Sequence, residues 1–380
     1  MCEFVDELCV TMRHALSPTR SPRKALEVGE LVNTVCGTPA ASDEETFVPL
    51  RKHRRMKAIV CRAYGPPKDL VLADAPEPQA GPGQIVIDVY AAGVNFPDVL
   101  LVQGLYQVKP PLPFSPGVEV AGIVAAVGAG VREPRVGDRV AAGVMGGFAE
   151  RAVASAATTI VLPETLDFVT AAGMILTYGT AYHAVADRAA LRAGEWLYVS
   201  GAGGGVGTAS VDLAKALGAN VIGTASSDAK RAAAKRAGAD FVLTADAPDL
   251  VAAVKKASGG GIDVAIDNVG GEQFDAALRA AARDARLLVV GFAGGTIPQI
   301  PANRILLKEL DVLGVYWGDW ASRNPAHNRE NFDAIFALMR EGKLHPRIDA
   351  TYAFADAPQA VADLHERRLV GKGVVRVREA

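Results

Sequence analysis

Beyond residue 61 the chain carries no cysteine at all. Of its four cysteines, Cys2, Cys9 and Cys36 fall in the first forty residues and Cys61 lies in the first expected strand, none with a CxxC partner. That distribution excludes a disulfide framework or a cysteine-rich zinc site in the main body, and it fits a reducing, cytoplasmic setting. Neither sign of charge dominates: 40 Lys and Arg stand against 42 Asp and Glu, a net charge of −2. A nucleic-acid binder working through a broad basic face is therefore not expected. No apolar run approaches the roughly 18 residues that span a bilayer, so no membrane role is expected either.

What is present is enough chain for two domains with separate cores, 380 residues of which half are hydrophobic. The first 55 residues differ from the rest. They mix Cys, Ser, Pro and both charges without sustained periodicity and end in Arg51-Lys52-His53-Arg54-Arg55. They lack the apolar core of a secretory signal and carry too many acids for a mitochondrial transit peptide, so they read as a solvated, disordered extension, with a localisation patch as the alternative for the basic cluster. From residue 56 to about 177 short strands alternate with Gly- and Pro-rich turns, which predicts a compact, mostly β domain. Strand and helix patterns then alternate through Trp196-Leu197-Tyr198-Val199-Ser200, a helix over residues 206–217, Val221-Ile222-Gly223-Thr224, and a helix from about 228 to 237. Phe241-Val242-Leu243, Val264-Ala265-Ile266 and Leu287-Leu288-Val289-Val290 continue the series. This predicts a doubly wound parallel sheet over residues 178–317. After about residue 317 one amphipathic helix, residues 331–341, and short strands return the chain to the first domain. That domain then comprises residues 56–177 and 318–380.

The most informative motif is Ser200-Gly201-Ala202-Gly203-Gly204-Gly205-Val206-Gly207, set between a buried strand and a helix. Spaced glycines there permit a tight turn, a close approach of backbone N–H groups to a pyrophosphate, and close strand–helix packing; the helix start adds partial positive charge. A dinucleotide is the expected ligand. The next strand ends Gly223-Thr224-Ala225-Ser226-Ser227 with no acid at its tip and Lys230 one turn on. Two hydroxyls and an ammonium suit a 2′-phosphate that a carboxylate would repel, so NADPH is the expected cofactor. An ordinary helix start, with Ser227 or Asp228 as N-cap and Lys230 solvated, is the plainer alternative.

Gly93-Val94-Asn95-Phe96-Pro97-Asp98, Gly104-Leu105-Tyr106-Gln107 and Pro116-Gly117-Val118-Glu119-Val120-Ala121-Gly122 resemble the quinone oxidoreductases of the medium-chain dehydrogenase/reductase superfamily. With the glycine turn, Val315-Tyr316-Trp317-Gly318 and Gly371-Lys372, the resemblance extends from residue 56 to about 377. It implies an α/β protein with a GroES-like, mostly β catalytic domain and a Rossmann domain. In zinc-dependent members a Cys ligand lies near Asn95 and a Gly-His-Glu motif near Gly117-Val118-Glu119. Val118 has no donor atom and Asn95 is a poor zinc ligand, so no metal is expected. The resemblance places Asn95, Asp98 and Tyr106 beside the nicotinamide as the catalytic set. The cofactor would be held by Thr180, Gly201, Gly204, Gly205, Val206, Gly207, Ser226, Ser227, Lys230, Asn268, Phe292, Tyr316 and Trp317. Ala245 departs from members that place a tyrosine near the adenine.

Without a metal, a quinone or conjugated enone is the expected acceptor, because the charge left by hydride addition spreads onto oxygen. Tyr106 and Asn95 are the expected hydrogen-bond donors, with Asp98 orienting the loop. Each has a structural alternative: Tyr106 as a lid on the core, Asn95 as a turn cap, and Asp98 as a structural group; His183, near the domain junction, reads as a satisfied interior or cleft histidine and not as an acid. An enoyl-thioester reductase and a nonenzymatic NADPH-binding scaffold remain alternatives to the quinone reductase. The resemblance further implies a homodimer joined along the strand over residues 310–316.

Overall fold

The computed structural model describes residues 54–379; the expected extension, apart from its last two residues, lies outside the described residues. Strands β1 (Arg55–Val60) and β2 (Val71–Pro76) form an antiparallel ribbon. Cys61 falls just past β1, buried and with a free thiol. β3 (Gln84–Gly93) leads into a short helix, α1 (Phe96–Val102), and then β4 (Glu119–Val127), β5 (Arg139–Gly143), β6 (Arg151–Ser155) and β7 (Ile160–Val161). These strands are mostly antiparallel neighbours, and their alternating apolar residues enclose a core around Ile59, Ile87, Val120 and Phe148.

Helix α2 (Phe168–Tyr182) then crosses beneath both sheets. Its run Ala171-Ala172-Gly173-Met174-Ile175 is buried, so it shows no amphipathic stripe. A helix without a polar face leaves no periodic signal, so the sequence reads as mostly β through this region. A π-helical turn over His183–Arg188 extends it.

Strict alternation follows: β8 (Trp196–Val199), α3 (Gly205–Ala216), β9 (Asn220–Ala225), α4 (Asp228–Arg236), β10 (Phe241–Thr244), α5 (Leu250–Ala257), β11 (Ile262–Asp267), α6 (Gly271–Ala280), β12 (Ala281–Val289), α7 (Ala302–Lys308) and β13 (Asp311–Gly314). All six strands pair in parallel in the order β10-β9-β8-β11-β12-β13. Strand order reverses between β8 and β11, and a crevice opens beyond their carboxyl ends, the place where such sheets receive ligands. The glycine turn leaves the end of β8, so the topology itself positions it.

The remainder holds three helices, where sequence periodicity suggested one: α8 (Trp317–Arg323), α9 (Pro325–Arg340) and, between β14 (Ala350–Ala353) and β15 (Gly373–Arg376), α10 (Ala357–His365). Pro325 opens α9 six residues before the expected start, because a fixed φ suits the first helical turn. The polar stretch Ala326-His327-Asn328-Arg329-Glu330 hides the helical period there. β15 pairs antiparallel with β3, so the end of the chain closes the first sheet.

Phe274, 1% exposed, fills the space between α6 and the parallel sheet with Tyr198 and Leu287. Phe274→Ala should lower unfolding free energy by about 3–5 kcal/mol in urea titrations followed by circular dichroism.

Candidate active site

A cleft of about 1340 Å³ runs from the switch point of the parallel sheet to α1 and α8. One wall is the glycine turn. Gly201 holds φ +63°, and a Cβ on Gly207 would stand 2.2 Å from the Gly201 carbonyl oxygen, while one on Gly203 would meet the Lys230 carbonyl at 2.4 Å. Only hydrogen fits at these positions. The first N–H groups of α3, from Gly205, Val206 and Gly207, have no acceptor within the helix and line the cleft.

At the tip of β9, Ser226 and Lys230 line the cleft. Ser227 does not: its hydroxyl accepts the Lys230 N–H at 3.3 Å as the N-cap of α4, the plainer of the two roles anticipated for it. Across from Lys230 stands Arg367, a residue no sequence signal had marked. It follows α10 in the left-handed region, φ +60°, unusual for a side chain of this size. Burial, then the Arg367 charge, pushes the Lys230 ammonium below its ordinary value. Neither cation has a carboxylate partner among the described residues, unlike Lys215, Arg236 and Arg368 nearby in the same half of the chain. Two facing cations over a cradle that excludes Cβ atoms fit a phosphorylated dinucleotide.

Thr180, Asn268, Phe292, Tyr316 and Trp317 also line the cleft. Asn268 is fixed by two bonds of 2.9 Å to Ser200, its backbone N–H donating to the hydroxyl and its side-chain amide to the carbonyl. Asp267 accepts from that hydroxyl at 2.7 Å and from the Gly270 N–H. Ala245 takes part through its carbonyl, bonded to Gln273, so the missing tyrosine leaves backbone there.

At the opposite end the predicted catalytic residues separate into three roles. Tyr106 is half-buried on the cleft; burial first, then the neighbouring Tyr316 phenol, raises its pKa, so it keeps its proton and remains a donor. Asn95 lines the cleft, but its amide is committed. It donates to the Gly93 carbonyl and, at 2.8 Å, to Glu119, and its oxygen accepts from Lys372. The expectation that Asn95 offers a free donor is corrected: both of its N–H groups are occupied. Asp98 does not reach the cleft. It is fully buried, accepting the Asn95 N–H at 2.8 Å and the Gly117 N–H at 3.0 Å, and acts as a positioning residue.

Beneath Asn95 lies a pair that sequence reasoning left unassigned. Lys372, 4% exposed, extends its ammonium to Glu119, Asn95 and the Val94 carbonyl, and Glu119, wholly buried, also accepts the Leu176 N–H. One residue earlier, the Gly371 N–H donates to Gly203 in the glycine turn at 2.9 Å. A lysine opening an apolar strand, Gly371-Lys372-Gly373-Val374-Val375, was the available signal, since charges at such positions are buried only when paired. His183 is a satisfied interior histidine, 2.8 Å from Asp187. Among the described residues no group of three His, Cys, Asp or Glu is placed to hold a metal ion.

A parallel sheet with its switch point at a glycine turn, facing a GroES-like β domain across a cleft, defines a medium-chain dehydrogenase/reductase. The alcohol dehydrogenase GroES-like domain model matches residues 81–164, and the zinc-binding dehydrogenase model matches residues 205–336. The mouse "quinone oxidoreductase-like protein 2" is 36% identical over 323 residues, covering 84% of this chain and 91% of its own. Human "quinone oxidoreductase" is 34% identical over 322 residues, covering 84% and 95%. An Escherichia coli quinone oxidoreductase solved with NADPH superposes with a TM-score of 0.76 at 28% identity, over 85% of this chain and 99% of that one. A mycobacterial protein solved with NADPH gives 0.79 at 32%, over 85% and 100%. The chain belongs to the quinone oxidoreductase family.

Burial pushes the Asp98 carboxyl up to about 7, against the two N–H groups and Lys372, which favour its charge. A folded value above the unfolded one means the fold favours the protonated form. The stability this contributes is full below about pH 4 and declines as pH rises through about 7. Urea midpoints across that window should therefore fall for the wild type relative to Asp98→Asn.

Proposed function

We propose that this protein is a zinc-independent NADPH oxidoreductase that reduces a quinone or a small conjugated enone. The facing pair Lys230 and Arg367, with no carboxylate at the tip of β9, carries the cofactor assignment. An acid there would select the ribose hydroxyls of NADH, whereas two cations pair with a 2′-phosphate. The NADPH complexes of the mycobacterial and Escherichia coli proteins support the same cofactor. Zinc independence is supported by donor chemistry: Val118 offers no ligand atom, and Asn95 and Glu119 are taken up by Lys372.

Bound in the cleft, NADPH supplies the hydride. The protein's part is placement and solvation. The glycine turn and the start of α3 hold the pyrophosphate, Thr180 and Asn268 border the path between the two ends, and Val118, Val144, Leu176 and Trp317 give the acceptor end an apolar lining that excludes water. Tyr106, protonated at neutral pH, is the donor for the oxygen on which charge develops. We extend this to a cytoplasmic homodimer joined along β13, the edge of the parallel sheet, supported by the exposure of Leu306 and Leu307 on the adjacent α7.

Steady-state NADPH consumption with a naphthoquinone tests the activity, and Tyr106→Phe should reduce kcat by about 10- to 100-fold. Binding of NADPH without turnover across a panel of quinones and enones would leave a cofactor-binding scaffold instead. Calorimetry tests the phosphate pocket: Lys230→Ala and Arg367→Ala should each weaken NADPH by roughly tenfold or more and leave NADH nearly unchanged.

A further inference from the structure

The acceptor end of the cleft is walled by α8, and something holds that helix from behind. Trp317, Gly318 and Ala321 turn toward the cleft. Gly179 of α2 makes room for the Trp317 ring, since a Cβ there would lie 2.6 Å from it. The adjoining face carries Trp320. Its ring stacks on His183 at 4.1 Å between centroids, and its edge meets His327 at 5.2 Å.

Both histidines converge on one carboxylate. Asp187 Oδ2 accepts from His183 Nδ1 at 2.8 Å and from Asn331 Nδ2 at 2.8 Å, and Oδ1 faces His327 Nε2 at 3.4 Å. Acceptance by a carboxylate sets the proton of His183 on Nδ1. The π-helical turn His183–Arg188 puts His183 and Asp187 on the same side, where α9 brings in His327 and Asn331. Such turns interrupt a helix at a cost and recur at functional sites. In this chain the turn yields a half-buried carboxylate bound to two elements, with an indole clasped between its histidines. None of these groups lines the cleft itself.

Resting on the oxidoreductase reading of the cleft, we propose that Asp187 is a positioning residue for the acceptor. Through His183 and His327 it fixes Trp320, and through Trp320 it sets where α8 presents Trp317. The phosphate end is held by separate elements, α3, α4 and the residues after α10, so Asp187 governs fit at the acceptor end and leaves cofactor grip alone.

Asp187→Asn keeps the shape and removes the charge. Hydrogen exchange on the full chain, read by mass spectrometry, should show amides of residues 317–324 exchanging about tenfold faster, while residues 200–217 stay unchanged. The KM for a naphthoquinone should rise about five- to tenfold, with the NADPH dissociation constant from calorimetry within about twofold of wild type. His327→Gln alters a half-exposed ring that the fold tolerates, and should shift the same quantities in the same direction by less. Unchanged exchange at residues 317–324 in both variants overturns the proposal whether or not any acceptor is reduced. So does a KM that stays fixed while α8 loosens, or exchange that rises uniformly, the mark of a merely structural role. Failure of the wild type to reduce any acceptor counts against the oxidoreductase reading, and the exchange result then decides the Asp187 proposal by itself.

Discussion

The contact between Lys372 and Glu119 is the constraint on which the rest of the cleft depends. Burying two charges costs several kcal/mol for each, which attraction repays only where the remaining lone pairs and protons are also satisfied. They are. The ammonium has three acceptors, and the carboxylate has the Asn95 amide and the Leu176 N–H besides. These partners come from the residue before β15, the N-cap of α1, β4 and α2, so one ion pair ties together the last strand, the helix at the cleft mouth, the antiparallel sheet and the helix beneath. Removal of either charge alone would strand the other without water, typically a loss of about 3–5 kcal/mol.

The same pair explains why Asn95 is not free for chemistry. The Lys372 ammonium claims the Asn95 oxygen and the Glu119 carboxylate, and that carboxylate in turn claims the Asn95 amide. Tyr106, beside the Tyr316 phenol on the same cleft, keeps its proton because burial raises its pKa, which is why it is the proposed donor. Positive charge elsewhere in the cleft is concentrated at the far end, at Lys230 and Arg367. The two cations thus stand at one end of the cleft, and Val118, Val144, Leu176 and Trp317 line the other.

Much of this was legible in the sequence where local rules and global topology agree. The glycine turn, the parallel strands and the acid-free tip of β9 announce themselves because each depends on a few adjacent residues. Arg367 and Lys372 gave little sign, since their roles arise from elements more than a hundred residues away in the chain. α2 escaped periodicity because it is buried on every side, and the start of α9 because its first turns are polar. Ser227 shows the opposite failure. A hydroxyl at the right place for a phosphate was already engaged in capping α4, and sequence spacing alone does not separate the two uses.

α2 accounts for how one scaffold keeps two such different ends in register. Its glycines are sites of contact: Gly173 admits Ile348 and Gly179 admits Trp317, each closer than any Cβ would allow. Leu176 and Thr180 between them border the cleft, Leu176 reaches back to Glu119 through its N–H, and the helix continues into the turn that holds His183 and Asp187. A largely buried helix therefore touches the internal ion pair, the middle of the cleft and the support of its proposed acceptor wall. Displacement of α2 would alter all three together, which is why its surface is built of Ala, Gly and closely fitted apolar groups with almost no slack.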